Sequence, residues 1–155
     1  MPTCCTCGRA TSSEPRRAGR KEVTAAKMAS TLQQTLWILA GVFDRAFAGF
    51  HAAFWRLFDW PRRLAPSGAI NAAITQTLNL VLIFVFLVYG VVLIAASRAQ
   101  EASVLLSAAG AGFWALRTCL QPLLFPRRHP ASIAITFVFA LGAALHGLAA
   151  LGPLR

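Results

Sequence analysis

Residues 70–96, INAAITQTLNLVLIFVFLVYGVVLIAA, carry no charged side chain. A bilayer core about 30 Å thick takes about 20 residues of α-helix to cross, so a run this long and this apolar specifies a transmembrane helix. Every other segment has to be arranged around it. The overall composition agrees, with 57% hydrophobic and 13% charged residues, against roughly 25% charged in a soluble globular domain.

The downstream chain returns twice. SRAQE at 97–101 is a polar turn too short for anything but an antiparallel neighbour. Residues 102–125 are read as the second span, although they are apolar only through Leu116 and then meet Arg117, Gln121 and Pro122. Arg117 is expected to snorkel or find a partner near the inner boundary. PRRHP at 126–130 forms the next loop, and residues 131–151 are the third span, ended by Gly152-Pro153.

Upstream, residues 30–60 recur at helical spacing. Leu36, Phe43, Phe47, Phe50, Phe54 and Phe58 form one stripe, with Gln33, Gln34, Asp44, Arg45, His51, Arg56 and Asp59 on the other side. A crossing helix would put Asp44 and Arg45 near mid-bilayer, at roughly 2.5–3.5 kcal/mol each. The favoured expectation is therefore an amphipathic helix lying in the interface, anchored by Trp37, Trp55 and Trp60. The alternative is a fourth helix packed against the bundle with its polar residues turned inward. The expected fold is all-α and integral to the membrane: three transmembrane helices preceded by an amphipathic interfacial helix and a disordered N-terminal tail.

The tail, residues 1–28, is basic, aperiodic and crowded with Cys4, Cys5 and Cys7, which reads as disorder. Two accounts of it compete. In one, translation of the native protein starts at Met28, because Met-Ala-Ser is a common bacterial start. Arg20-Lys21-Glu22-Val23 can also be encoded by the purine-rich ribosome-binding sequence that precedes such starts. In the other, a basic tail clings to anionic lipid at roughly 1 kcal/mol per Lys or Arg. The cysteines, Cys119 included, lack the paired spacing of a zinc site or a secreted disulfide framework.

The net charge of +10 does not point to nucleic acid, because the basic residues flank apolar runs instead of forming a stripe interleaved with aromatics. Arg56, Arg62, Arg63, Arg117, Arg127 and Arg128 border one side of the spans, and Arg98 and Arg155 the other. The bias predicts a multi-pass inner-membrane protein with a cytoplasmic N-terminus and PRRHP loop and an external C-terminus.

Intramembrane polar residues are the candidate site. Asn71, Thr75 and Asn79 share a face of the first span, which is expected to turn inward. Arg117 and Gln121 lie at heights matching Asn79 and Thr75, so hydrogen bonds between these pairs are expected. His146 falls inside the third span and is a functional candidate by depth, while His51 and His129 read as headgroup contacts. Ser107, Ala108, Ala111, Gly112, Ala143 and Gly147 allow close helix contact. No metalloprotease, phosphate-loop or nucleophile–base spacing is present, so no catalytic residues, metal or cofactor are expected. The expected role is a non-catalytic accessory or scaffolding subunit, in contact with membrane lipids and with a membrane-protein partner or its own copies. The rival is a component of an oligomeric transporter or channel.

Overall fold

The computed structural model describes residues 14–60, 62–98, 101–125 and 129–151, with no strand among them. Helix α1 spans Glu14–Ala52 and is followed by a single turn, α2, Phe54–Leu57. After a 3₁₀ turn at Ala65–Ser67 come α3 (Ala69–Ala96), α4 (Glu101–Leu124) and α5 (Pro130–Leu151). Of these, α3 and α5 are long and apolar enough to cross a membrane. The expected second span, α4, is a helix over the expected residues but not of that kind, because Glu101, Arg117 and Gln121 break its apolar run. Among the described residues there are two such helices, not three, which is the first correction to the sequence reading.

The four long helices run alternately up and down, so that each packs antiparallel to its neighbour in sequence, the arrangement short connections favour. Contact is most extensive between α1 and α3 and between α4 and α5, with α5 closing back on α1. The structure is thus two antiparallel hairpins laid together. Buried positions recur three and four residues apart: Gln33, Trp37, Ala40, Asp44, Phe47 and Ala48 on α1, and Phe139, Gly142, His146 and Ala149 on α5. That spacing is the seam of helices packed nearly parallel in a bundle.

The second correction concerns α1. It does not stand apart as a surface helix, and its polar residues do not all face outward. Asp44 is 0% exposed, and Gln33 is also buried, whereas Arg45 stays exposed. The inward face is centred between the aromatic stripe and the polar stripe, on residues flanked by Ala40, Gly41 and Ala48. Small residues let α3 approach. At Gly41, an added Cβ would lie 2.6 Å from the Gly90 carbonyl oxygen, and at Gly90 it would lie 2.6 Å from that of Gly41.

The tail is the third correction. Residues 14–27 continue α1 as helix, with residues 19–28 exposed. Arg, Lys, Glu and Ala are good helix formers, and Pro15 sits in the first turn, where a missing N–H costs nothing. Residues 1–13, with Cys4, Cys5 and Cys7, lie outside the described residues. At the other end, the helix expected to reach residue 60 stops at Ala52. Asp59 adopts a positive φ of 51°, tolerable for Asp, and turns the chain before Trp60.

Because Gln33 and Trp37 meet Ala149, residues 14–32 lie at the opposite end of the bundle from His129 and Pro130, the described part of the PRRHP loop. The sequence reading put both on one side. The small residues singled out for contact are only partly the ones used. Ser107 is buried, but Ala108 is exposed, and Gly112 and Gly147 have open space around them.

Gly41→Ala and Gly90→Ala are therefore expected to destabilise the bundle by about 1–3 kcal/mol through forced separation of α1 and α3. Gly112→Ala is expected to be neutral or stabilising by roughly 0.5–1 kcal/mol, since it only removes a helix-interior glycine. Thermal unfolding of the three variants in detergent separates the cases. Equal effects at all three positions would contradict the contact.

Candidate functional site

Two polar clusters occupy the interior. The first joins three helices at one buried carboxylate. Asp44 of α1 accepts a hydrogen bond from Trp114 Nε1 of α4 at 3.1 Å, and its other oxygen lies 3.0 Å from His146 Nε2 of α5. His146 Nδ1 faces the Gly142 carbonyl oxygen at 2.8 Å. Asp44 and His146 are 0% exposed and Trp114 is 1% exposed.

Both ring nitrogens of His146 thus meet oxygen. Nδ1 must donate, because a carbonyl only accepts. On the Nε2 side one proton is shared, carried either by the imidazole against a carboxylate or by Asp44 against a neutral ring. The pair is electrically neutral in both descriptions, which removes most of the penalty of burying an isolated charge. It also leaves His146 without a free nitrogen to act as a base. His146 lies flat beside Tyr89, with ring centroids 6.0 Å apart, and both pack over Gly110, where any Cβ would collide with the imidazole. The Tyr89 hydroxyl donates to the Leu106 carbonyl.

At the same end, Gln33 Nε2 and, at 3.0 Å, Trp37 Nε1 donate to the Ala149 carbonyl. The last four carbonyls of a helix have no partner within it, and α5 ends at Leu151. Side chains of α1 therefore cap α5 and fix the two hairpins to each other.

The second cluster is His51 with Asn79. Asn79 Nδ2 donates to the His51 carbonyl at 3.0 Å, so its Oδ1 is the acceptor for His51 Nδ1 at 2.7 Å. This fixes the tautomer, with Nδ1 protonated and Nε2 left as an acceptor in the neutral ring. Asn79, expected to bond Arg117, is instead tied to α1. Thr75 is half-buried on α3, and Gln121 Nε2 reaches Ser132 Oγ of α5 at 3.4 Å. Arg117 lies over aromatic rings, its Cζ 4.5 Å from the Phe139 centroid and 5.6 Å from that of Phe125. The expected bonds between α3 and α4 are thereby corrected. Matching heights along two helices says nothing of the direction each face points, and α4 turns its polar face towards α5.

Below the Asp44 knot a half-open cavity of about 1200 Å³ lies between the two hairpins. Its floor is aromatic, made by Phe47, Phe86, Trp114 and Phe139, with Phe47 edge-on to Trp114 at 4.7 Å and Phe86 stacked on it at 5.4 Å. Its polar lining comes from both hairpins, with His51 of α1, Arg117 and Gln121 of α4 and Ser132 of α5, and Arg63 and His129 also line it. Among the described lining residues there is no Asp or Glu, and among the described residues no group of three His, Cys, Asp or Glu could hold a metal ion.

Of the residues expected from the sequence, Arg117 and Gln121 line this cavity, Asn79 positions His51 on its wall, and His146 belongs to the knot above it. Sequence reasoning missed Asp44, Trp114 and Ser132. The available signal was that Asp44 sits among Ala40, Gly41 and Ala48 on one helix face, a pattern of a polar group flanked by close-approach residues.

Breaking the knot from one side is expected to cost about 3–5 kcal/mol, because Asp44→Leu or His146→Leu alone leaves the other member buried and unpaired. The double variant is expected to lose much less than the sum. A double-mutant cycle on unfolding in detergent reads this, and additive losses would show that the two groups do not act as a pair.

Comparison with known protein families, with characterised proteins and with solved structures finds no match to this chain.

Proposed function

We propose that the chain is a non-catalytic integral membrane protein whose four long helices lie in the bilayer as one bundle, α3 and α5 by their own apolarity and α1 and α4 by burying polar groups against them, and that it holds a lipid-like amphiphile in the cavity between the two hairpins. The observation that carries this is the cavity, whose lining joins an aromatic floor to a set of polar side chains, as an amphiphile requires. The membrane setting is supported by an inversion of polarity. Phe84 is 66% exposed and Phe137 72% exposed, while Asp44 and His146 are wholly buried. In water, apolar patches of that extent mark a liability or an interface. In lipid, where apolar contact does not drive helices together, buried polar groups and close glycine contacts hold a bundle.

This reading departs from three spans and an interfacial helix. It brings a cost at Arg45, which leaves the bundle on the outer face of α1, of roughly 2.5–3.5 kcal/mol before its long side chain snorkels. The accessory role expected from the sequence is kept: a subunit that retains a lipid instead of transforming it, since His146 has both ring nitrogens engaged. We place the protein in the inner membrane; with α1 crossing, Arg20, Lys21, Lys27 and Arg98 lie at the end opposite Arg56, Arg62 and Arg63, so positive charge flanks both ends of the bundle and does not by itself orient it.

Two measurements test it. Single cysteines at Ser30 and at His129, in a cysteine-free background, are expected to label from opposite sides of the membrane with an impermeant thiol reagent; labelling from the same side would restore the interfacial helix. Ile135→Trp, which places a bulky ring in the cavity wall, is expected to abolish retention of lipid through detergent purification, read by native mass spectrometry. Unchanged retention in that variant would remove the cavity as the site.

A further inference from the structure

Three groups on the cavity wall carry chemistry that no described residue of the chain answers. Arg117 is the first. Its guanidinium rests against the rings of Phe139 and Phe125, and neither ion pair among the described residues, Asp59 with Arg62 or Asp44 with His146, includes it. No carboxylate is among the described residues of the cavity lining to pair with it. A guanidinium matches phosphate and carboxylate oxygens in its own plane.

Gln121 is the second. It lies one helical turn beyond Arg117, is 3% exposed and lines the cavity. Its amide nitrogen is occupied by Ser132 Oγ, but its Oε1 has no partner. A buried acceptor needs a donor, and an anion alone cannot supply one. The third group, His51 of the other hairpin, has Nδ1 committed to Asn79 Oδ1, so Nε2 is a second acceptor in the lining of the same cavity. The wall therefore calls for one anion together with hydroxyl or similar donors. The volume, about 1200 Å³, exceeds the roughly 300–1,000 Å³ of ordinary small-ligand pockets, and its aromatic floor suits hydrocarbon.

We propose that the cavity binds an anionic glycerophospholipid whose headgroup bears hydroxyls, of the phosphatidylglycerol type. Its phosphate sits on Arg117, a glycerol hydroxyl donates to Gln121 Oε1, and its acyl chain lies over Phe47, Phe86 and Phe139. This rests on the lipid-holding role proposed above and names the headgroup that role requires. Arg63 at the mouth adds a second positive charge for the same anion.

The test uses the full chain in a nonionic detergent with an equimolar mixture of three lipids, read by native mass spectrometry. The lipids are phosphatidylglycerol, phosphatidylmethanol (the same anionic diester without hydroxyls) and zwitterionic phosphatidylcholine. Wild type is expected to retain phosphatidylglycerol over phosphatidylcholine by about tenfold, a 1.4 kcal/mol difference, with phosphatidylmethanol between them. Arg117→Gln is expected to bring phosphatidylglycerol and phosphatidylcholine to equal retention, and Arg117→Lys to keep part of the preference. Gln121→Leu is expected to erase only the preference for phosphatidylglycerol over phosphatidylmethanol. Wild type that retains all three lipids equally would overturn the headgroup assignment and leave the lipid-holding role standing. Wild type that retains none would remove both. Displacement of the lipid by millimolar inorganic phosphate would show a site for free phosphate, which also overturns the proposal.

Discussion

Everything in this bundle is arranged around one carboxylate that has no access to water. Asp44 is wholly enclosed, and an unpaired carboxylate there would cost several kcal/mol. It is sustained because a histidine from α5 and an indole N–H from α4 converge on it, so that three helices must be in register for any one of them to be tolerated. The constraint runs outward from there. His146 can reach Asp44 only because Gly110 leaves room above α4, and α1 can lie close to α3 only because Gly41 and Gly90 expose bare backbone to each other. The knot specifies a unique alignment more than it adds stability, since a buried pair can often be replaced by well-packed apolar groups at little loss.

The same alignment explains why one end of the molecule is open. At the knot, and at the cap that Gln33 and Trp37 place on Ala149, the two hairpins are drawn together by directed polar contacts. Past Phe47 and Trp114 comparable ties between the hairpins give way to bulky rings, and α1 ends at Ala52 instead of following α4 and α5 further. Aromatic residues fill the widening gap edge to face but not completely. The cavity is thus a consequence of where the polar ties stop, and Arg117 and Gln121 face it because their helix is held by α5 on its neighbouring side.

Burial of Asp44 with exposure of Phe84 and Phe137 also inverts the usual way of reading an amphipathic helix. The periodicity of α1 is genuine, and its aromatic and polar stripes lie where a helical plot puts them. What that plot assumes is a watery side for the polar stripe. In α1 the face that packs lies between the stripes, taking Phe47 from one and Asp44 and Gln33 from the other, because packing selects residues that allow approach or supply a partner, not residues that are merely apolar.

The sequence by itself determined the three helices downstream of residue 68. The uncharged run at 70–96 could be nothing else, the polar SRAQE turn forced an antiparallel return, and the apolar segment at 131–151 completed a helical hairpin with its neighbour. It also marked Arg117, Gln121, Asn79, Thr75 and His146 as polar groups in apolar surroundings; Gln121, Asn79 and His146 are buried, while Arg117 and Thr75 are half-buried. These properties are local: apolarity over a turn, spacing along one helix and turn composition are written within a few residues. What only the tertiary structure decided was the pairing. Asn79 faces His51 and not Arg117, His146 faces Asp44, and α1 belongs to the bundle instead of lying apart from it. Each depends on the rotation of one helix about its axis relative to another, an angle set by the sum of many small contacts between segments distant in sequence.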